Sequence, residues 1–306
     1  MTSPRLGLMA PMSDGLITSG TFLRDLARTL EEESVESFWT VEHVVVADAY
    51  EPLYPYSDGG RMPSGTGTVP MPDPLETIAF MAGASSALRF GTAMVVAPLH
   101  SPAVLAKRAA TIDRHSDGRL MLGLGIGWQK EEYAAVGVPY AARGRRLEEC
   151  VGAMRALWSH SPASYAGEYV SFERLHSLPR PASGAVPVVL GGNSEPAVRR
   201  AGRIADGWFP YTIGPDEFAE RADLLRTSAR EAGRAEDAVE ITVWPGSCDP
   251  KKQWDPDWVR RYVDAGATRV VLYPRTDGPD GLLGPRGLDA LREQLAQFRT
   301  AVMEEL

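Results

Sequence analysis

Eight times along the 306-residue chain, a short apolar run is followed by a longer segment with the three- and four-residue spacing of an amphipathic helix. No other feature limits the folding options as much. The apolar runs are Arg5–Met9, Glu36–Val41, Leu88–Val96, Arg119–Leu124, Val186–Leu190, Gly207–Phe209, Val239–Val243 and Arg269–Tyr273. The helical segments are Thr18–Glu33, Asp73–Ala84, Pro102–His115, Gly144–Ser159, Glu195–Arg203, Asp216–Ala232, Asp257–Ala265 and Gly287–Glu304. In the first of these Phe22, Leu23, Leu26 and Leu30 share one face, and in the last Leu288, Leu291, Leu295, Phe298 and Val302 do so. Strands joined by crossover helices are parallel. Eight such units predict an α/β fold, a closed (β/α)8 TIM barrel formed as one domain over residues 1–306, rather than an open doubly wound sheet. Closure leaves no exposed edge strand. In such a barrel the active site opens at the carboxyl ends of the strands.

Two segments break the short-loop rhythm. Asp48–Pro72, after the second strand, is rich in Gly, Pro, Tyr and Ser. Its place over the carboxyl-end face predicts a lid or substrate wall, with Gly-Gly and Gly-Thr-Gly as hinges and Tyr50, Tyr54 and Tyr56 as the wall. Ser161–Gly184 is inserted before the fifth strand, and Tyr165, Tyr169 and Phe172 suggest a small packed hairpin.

The charge balance, 32 basic against 40 acidic side chains for a net −8, argues against nucleic acid or an anionic membrane as the main partner. A small-molecule substrate is expected instead. The two cysteines, Cys150 and Cys248, form neither a disulfide framework nor a metal knuckle, and a cytoplasmic location is expected. Residues Met1 to Leu8 lack the pattern of a signal peptide.

Chemistry concentrates at strand ends. Glu42 and His43 close the second strand. An imidazole at the barrel mouth is placed for proton transfer, although a packed, unreactive histidine has the same pattern. Neighbours on a strand point to opposite faces, so Glu42 and His43 do not converge on a metal, and no metal site is expected. Gly123-Leu124-Gly125-Ile126-Gly127 follows the fourth strand. It fails the dinucleotide fingerprint, whose third glycine falls on Trp128. It reads either as backbone approached closely by a flat ligand or as a tight turn. Gly191-Gly192-Asn193-Ser194-Glu195-Pro196 follows the fifth strand, with Ser194 or Asn193 as the expected helix cap. A helix N-terminus facing the mouth suits a phosphate, and an ordinary capped turn looks the same in sequence. Trp39, Trp128, Trp208 and the loop tyrosines are candidates to wall an apolar pocket.

With these residues assembled, the chain resembles the bacterial-luciferase-like family of flavin and deazaflavin oxidoreductases. It is most similar to the actinobacterial branch that uses coenzyme F420. The similarity spans nearly the whole chain and is carried by FWTVEHVV (Phe38–Val45), the stretch Leu88–Pro139 and the stretch Pro187–Trp208. The resemblance implies F420 as cofactor, with reduced FMN and O2 in a monooxygenase as the alternative. It implies hydride transfer between the deazaflavin C5 and the substrate, with Glu42 and His43 as the catalytic pair and His43 as the proton donor or acceptor. Three sets of cofactor contacts are implied: a non-prolyl cis peptide at Ala93-Met94, a ring-lining loop at Ile126-Gly127, and a phosphate loop at Gly191, Gly192, Asn193 and Ser194. The family's sugar-phosphate dehydrogenases carry a catalytic Glu where this chain has Trp128, with Glu131 and Glu132 the nearest acids. That favours a bulkier, more apolar substrate, lined by Trp39, Trp128, Tyr54 and Tyr56. A barrel that binds a flavin without turnover would be marked by a disrupted glycine loop or a missing His, and neither occurs. The family's habits also imply a separate reductase to supply reduced cofactor. They imply a homodimer through the second and third helices, where Leu75, Ile78, Phe80, Met81, Val104 and Leu105 exceed what one face requires.

Overall fold

The computed structural model describes residues 3–63 and 66–306. The hinge read at Gly65 and the first two residues of the Met1–Leu8 segment lie outside them. The barrel strands are β1 (Arg5–Met9), β2 (Ser37–Thr40), β3 (Arg89–Thr92) continued by β4 (Val95–Val96), β5 (Leu120–Gly125), β8 (Val188–Gly191), β9 (Gly207–Phe209), β10 (Glu240–Val243) and β11 (Arg269–Leu272). All pair in parallel. The sheet closes on itself because β1 pairs with both β2 and β11 while β3 pairs with β5. The expected (β/α)8 barrel is thus present. The run read as one third strand is two, interrupted at the Ala93-Met94 bond, which is cis.

Helices α1 (Gly20–Glu32), α2 (Pro74–Ala82), α3 (Pro102–His115), α5 (Arg143–Ser159), α6 (Glu195–Ile204), α7 (Pro215–Glu231), α8 (Pro256–Asp264) and α9 (Leu288–Ala301) form the outer ring. Their starts follow local chemistry. The Asp73 carboxylate accepts from the Leu75 and Glu76 amides and Pro74 opens α2, while Ser19 and Asp255 cap α1 and α8. Each such cap contributes about 1 kcal/mol. A short helix α4 (Lys130–Ala135) was not foreseen, since six residues are too few for a periodic signal. The insertion is the expected hairpin, with β6 (Ala163–Ala166) antiparallel to β7 (Ser171–Leu175). Among the described residues no helix is long and apolar enough to cross a membrane, and no group of three or more His, Cys, Asp or Glu could hold a metal.

Strand alternation sorts the core into two layers. Leu8, Phe38, Phe90, Leu122, Leu190, Trp208 and Leu272 face the helices. Met9, Trp39, Met121, Val189, Phe209 and Val271 fill the barrel axis. Trp39 is the plug of that inner layer. It is fully buried, lies edge-on to Phe209 at 5.1 Å, and donates from Nε1 to Ser37 Oγ at 2.9 Å. Gly91 makes room for it, because a Cβ there would fall 2.3 Å from Trp39 Cε3. The amino-terminal end is sealed by ions. Arg269, 1% exposed, binds both oxygens of Glu36 at 2.8 and 2.9 Å, Arg89 adds a bond at 3.1 Å, and Arg5 pairs with Glu240 at 2.9 Å.

Candidate active site

The carboxyl-end mouth gathers most of the residues singled out in the sequence. His43 leaves β2 with its ring 16% exposed, and its Nδ1 lies 3.2 Å from Glu132 Oε2 on α4. The other oxygen of Glu132 accepts from the Val44 amide at 2.7 Å and from Val45 at 3.4 Å. The rest of the α4 start holds the same segment: Gln129 accepts from the Ala47 amide, Glu131 from the Glu51 amide, and Lys130 pairs with Glu51. Sequence reasoning names Glu132, with Glu131, only as one of the acids nearest Trp128. Its bond to His43 spans 89 positions and leaves no local signal.

Glu42, read with His43 as the catalytic pair, is engaged elsewhere as a brace. It lies beyond the end of β2, and both its oxygens are engaged by partners other than His43. It accepts from the Val96 amide at 2.7 Å and from His100 Nε2 at 2.9 and 3.1 Å. The brace ties the end of β2 to β4 and the start of α3. His100, one of five histidines, went unremarked because nothing near it in sequence pointed to a partner.

The long loop folds over the mouth as a chain of aromatic edges. Trp128 stands edge-on to His43 at 6.0 Å, to Tyr50 at 5.1 Å and to Tyr54 at 5.3 Å. Tyr54 contacts Tyr56 at 5.4 Å, and Tyr56 contacts Tyr211 at 4.7 Å. Tyr211, Trp244 and Tyr273 continue the wall with centroid spacings of 5.6 and 5.4 Å. Burial, and then the neighbouring Tyr211, push the Tyr54 phenol well above its usual range, and the same causes raise Tyr56 to about 12. Both phenols are therefore neutral donors at physiological pH. Tyr54, Tyr56 and Trp128 meet as expected, but Trp39 does not join them, being buried beneath the mouth. Trp208 is likewise core, stacked on Phe218 at 5.5 Å. Tyr211, Trp244 and Tyr273 were missed, although each lies within two residues of a barrel strand's carboxyl end, the position that identified His43.

The glycine loop is reinterpreted. Cβ atoms at Gly125 and Gly191 would come within 3.2 and 3.0 Å of the Met94 side chain, so these glycines first accommodate Met94. Gly127 has φ +62°, and its Cβ would meet Val96 Cγ1 at 2.7 Å, so a side chain there would strike the wall instead of reaching the mouth. Tyr133 fixes the loop by donating to the Ile126 carbonyl. Ala93, Met94, Ile126 and Gly127 all remain part-exposed.

The second loop precedes α6. Gly192 takes φ +99°, and its carbonyl accepts from Trp208 Nε1 at 3.0 Å. Asn193 is pinned to the β9–α7 connection, donating to the Tyr211 and Thr212 carbonyls and accepting from the Tyr211 amide. It therefore does not cap α6. Ser194 holds the N-cap position, but its hydroxyl makes no capping bond either, and Pro196 lies in the first turn. The first amides of α6 are thus not capped by a side chain, which leaves the dipole end available to an anion.

Comparisons with known proteins give the family and the fold. The chain is 31% identical over 269 residues to an uncharacterised protein of Mycobacterium tuberculosis, covering 87% of this chain and 90% of that one. It is 28% identical over 227 residues to the F420-dependent glucose-6-phosphate dehydrogenase of Kineococcus radiotolerans, covering 72% of this chain and 62% of the relative. Among solved structures, an F420-dependent secondary alcohol dehydrogenase in complex with an F420-acetone adduct superposes with a TM-score of 0.74. It has 16% identity and covers 97% of this chain and all of the other, a likeness of fold. Since residues 8–248 match the luciferase-like monooxygenase family across most of the barrel, the chain belongs to that family and is an oxidoreductase.

Proposed function

We propose that the chain is a coenzyme F420-dependent oxidoreductase acting on an organic, largely apolar substrate, with His43 moving the proton that accompanies hydride. The observation that carries this reading is the mouth itself: an imidazole held by Glu132, facing a wall of Trp128, Tyr54, Tyr56, Tyr211, Trp244 and Tyr273. The deazaflavin would supply the hydride chemistry.

The residues fit such a group. The start of α6, whose first amides no side chain caps, suits the anionic tail together with Gly191, Gly192 and Ser194. Arg143 and Arg146, in the first turn of α5, form no ion pair among the described residues, and the Nε of each is buried without a hydrogen-bond partner. Met94, lying across Gly125 and Gly191, offers a flat apolar floor. The chain's own work is to position, dry and protonate. The Trp128 ring occupies the place of an acid found in the sugar-phosphate enzymes and supports an apolar substrate. Val44 and Val45, both 44% exposed beside His43, extend that apolar rim.

Fluorescence quenching titrations with oxidised F420 and with FMN test the cofactor. Micromolar binding of the first and none of the second is expected, and the reverse would replace this reading by a flavin monooxygenase. A panel of enones, quinones, ketones and secondary alcohols then tests the chemistry. On the fastest member, His43→Ala is expected to lower kcat about a hundredfold with cofactor affinity unchanged. Full turnover by that variant would remove His43 from the reaction.

A further inference from the structure

We propose that Glu132 is the positioning residue that decides which nitrogen of His43 exchanges the proton, an inference that rests on the role given to His43 above. One carboxylate serves two parts of one segment. Its Oε2 meets His43 Nδ1 at 3.2 Å, and its Oε1 meets the Val44 amide at 2.7 Å. Glu132 is 1% exposed, so water does not compete for these bonds.

A carboxylate only accepts. A neutral His43 must therefore carry its hydrogen on Nδ1 to make the bond, which leaves the lone pair on Nε2. The proton is taken up at Nε2 when the ring is neutral and released from Nε2 when the ring is charged. Orientation is fixed along with the tautomer. The Val44 amide bond holds the backbone on which the ring stands, and Trp128, four residues before Glu132, blocks the ring edge-on. Gln129, Lys130 and Glu131 anchor the following loop without touching the imidazole, so anchoring and positioning separate by residue.

The separation makes the test specific. In Glu132→Gln the Val44 N–H still demands an acceptor, so the amide oxygen stays with Val44 and the amide nitrogen donates toward His43. That arrangement requires an unprotonated Nδ1 and drives the hydrogen to Nε2. Nitrogen-15 NMR of histidine-labelled protein, with the His43 signals identified by their loss in His43→Ala, reads the tautomer without substrate. The wild type is expected to hold the hydrogen on Nδ1 and Glu132→Gln on Nε2. On the fastest substrate of the panel, kcat of Glu132→Gln is expected to fall at least tenfold while KM and cofactor Kd stay within twofold, and Glu132→Asp is expected to recover part of the rate. Glu131→Gln, a loop anchor only, is expected to leave both the tautomer and kcat unchanged. A wild-type ring protonated at Nε2, or a Glu132→Gln variant with wild-type tautomer and kcat, overturns the proposal. If instead His43→Ala retains full turnover, the reading of His43 fails while the tautomer assignment stands.

Discussion

The ion cluster at the amino-terminal end of the barrel makes a sharp prediction about acid stability. Burial works against the charged form of Glu36, yet the hydrogen bonds and charge of Arg269, with help from Ser37 and Arg89, outweigh it and hold the carboxyl at about 2, against an ordinary 4.5. A folded-state value below the unfolded one stabilises the fold fully above pH 4.5 and loses that contribution as pH falls toward 2. The shift corresponds to about 3 kcal/mol at neutral pH, of which about 2 kcal/mol is gone by pH 3. Glu36→Gln removes the charge and leaves Arg269, 1% exposed, with the weaker Glu240 contact at 3.4 Å as its remaining ion pair beside the Thr242 hydroxyl at 2.9 Å. Breaking one side of a buried pair costs about 3–5 kcal/mol, in agreement with the figure from the shift. Urea unfolding followed by tryptophan fluorescence is the assay. The gap between wild type and Glu36→Gln is expected to be about 3 kcal/mol at pH 7 and to narrow to about 1 kcal/mol at pH 3. A gap that stays constant between those values would show that the loss is one of shape, not charge. No gap at pH 7 would show that Glu240 and Thr242 satisfy Arg269 without the Glu36 charge.

Three further outcomes follow from particular contacts. Gly127→Val is expected to lower the melting temperature by several degrees, since it adds a branched side chain at φ +62° with its Cβ 2.7 Å from Val96 Cγ1; unchanged melting with lost cofactor binding would place the residue at the ring instead. Limited proteolysis of the free protein is expected to cut first within Asp48–Pro72, with protection once F420 and substrate are added, and equal rates in both states would mark the loop as a passive cover. A homodimer is proposed on a smaller apolar surface than the sequence suggests: Leu75, Ile78, Met81 and Leu105 are core, leaving Phe80 at 43% and Val104 at 57% exposure. Light scattering is expected to give about twice the 33.2 kDa chain mass, and to fall to that mass in Val104→Glu. A monomeric wild type would end the proposal.

Sequence alone determined the barrel, because each strand and helix advertises itself through a local period and eight repetitions leave few closed solutions. It also placed His43, Trp128, Tyr54, Tyr56 and the two glycine loops at the mouth, since a strand's carboxyl end is a one-dimensional address. Trp39 shows the limit of that reasoning. Its address on β2 is near the site, but alternation turns it down the axis into the space left by Gly91, a choice made by packing across three strands. Glu42 and Glu132 show the same limit for charge. Two acids of equal appearance divided their roles when the fold brought His100 to one and His43 to the other, 58 and 89 positions away. Hydrogen-bond partners across such distances are set by the register of the closed barrel and the docking of a six-residue helix. Neither leaves a periodic trace in the chain, so only the tertiary structure decided which acid holds the histidine.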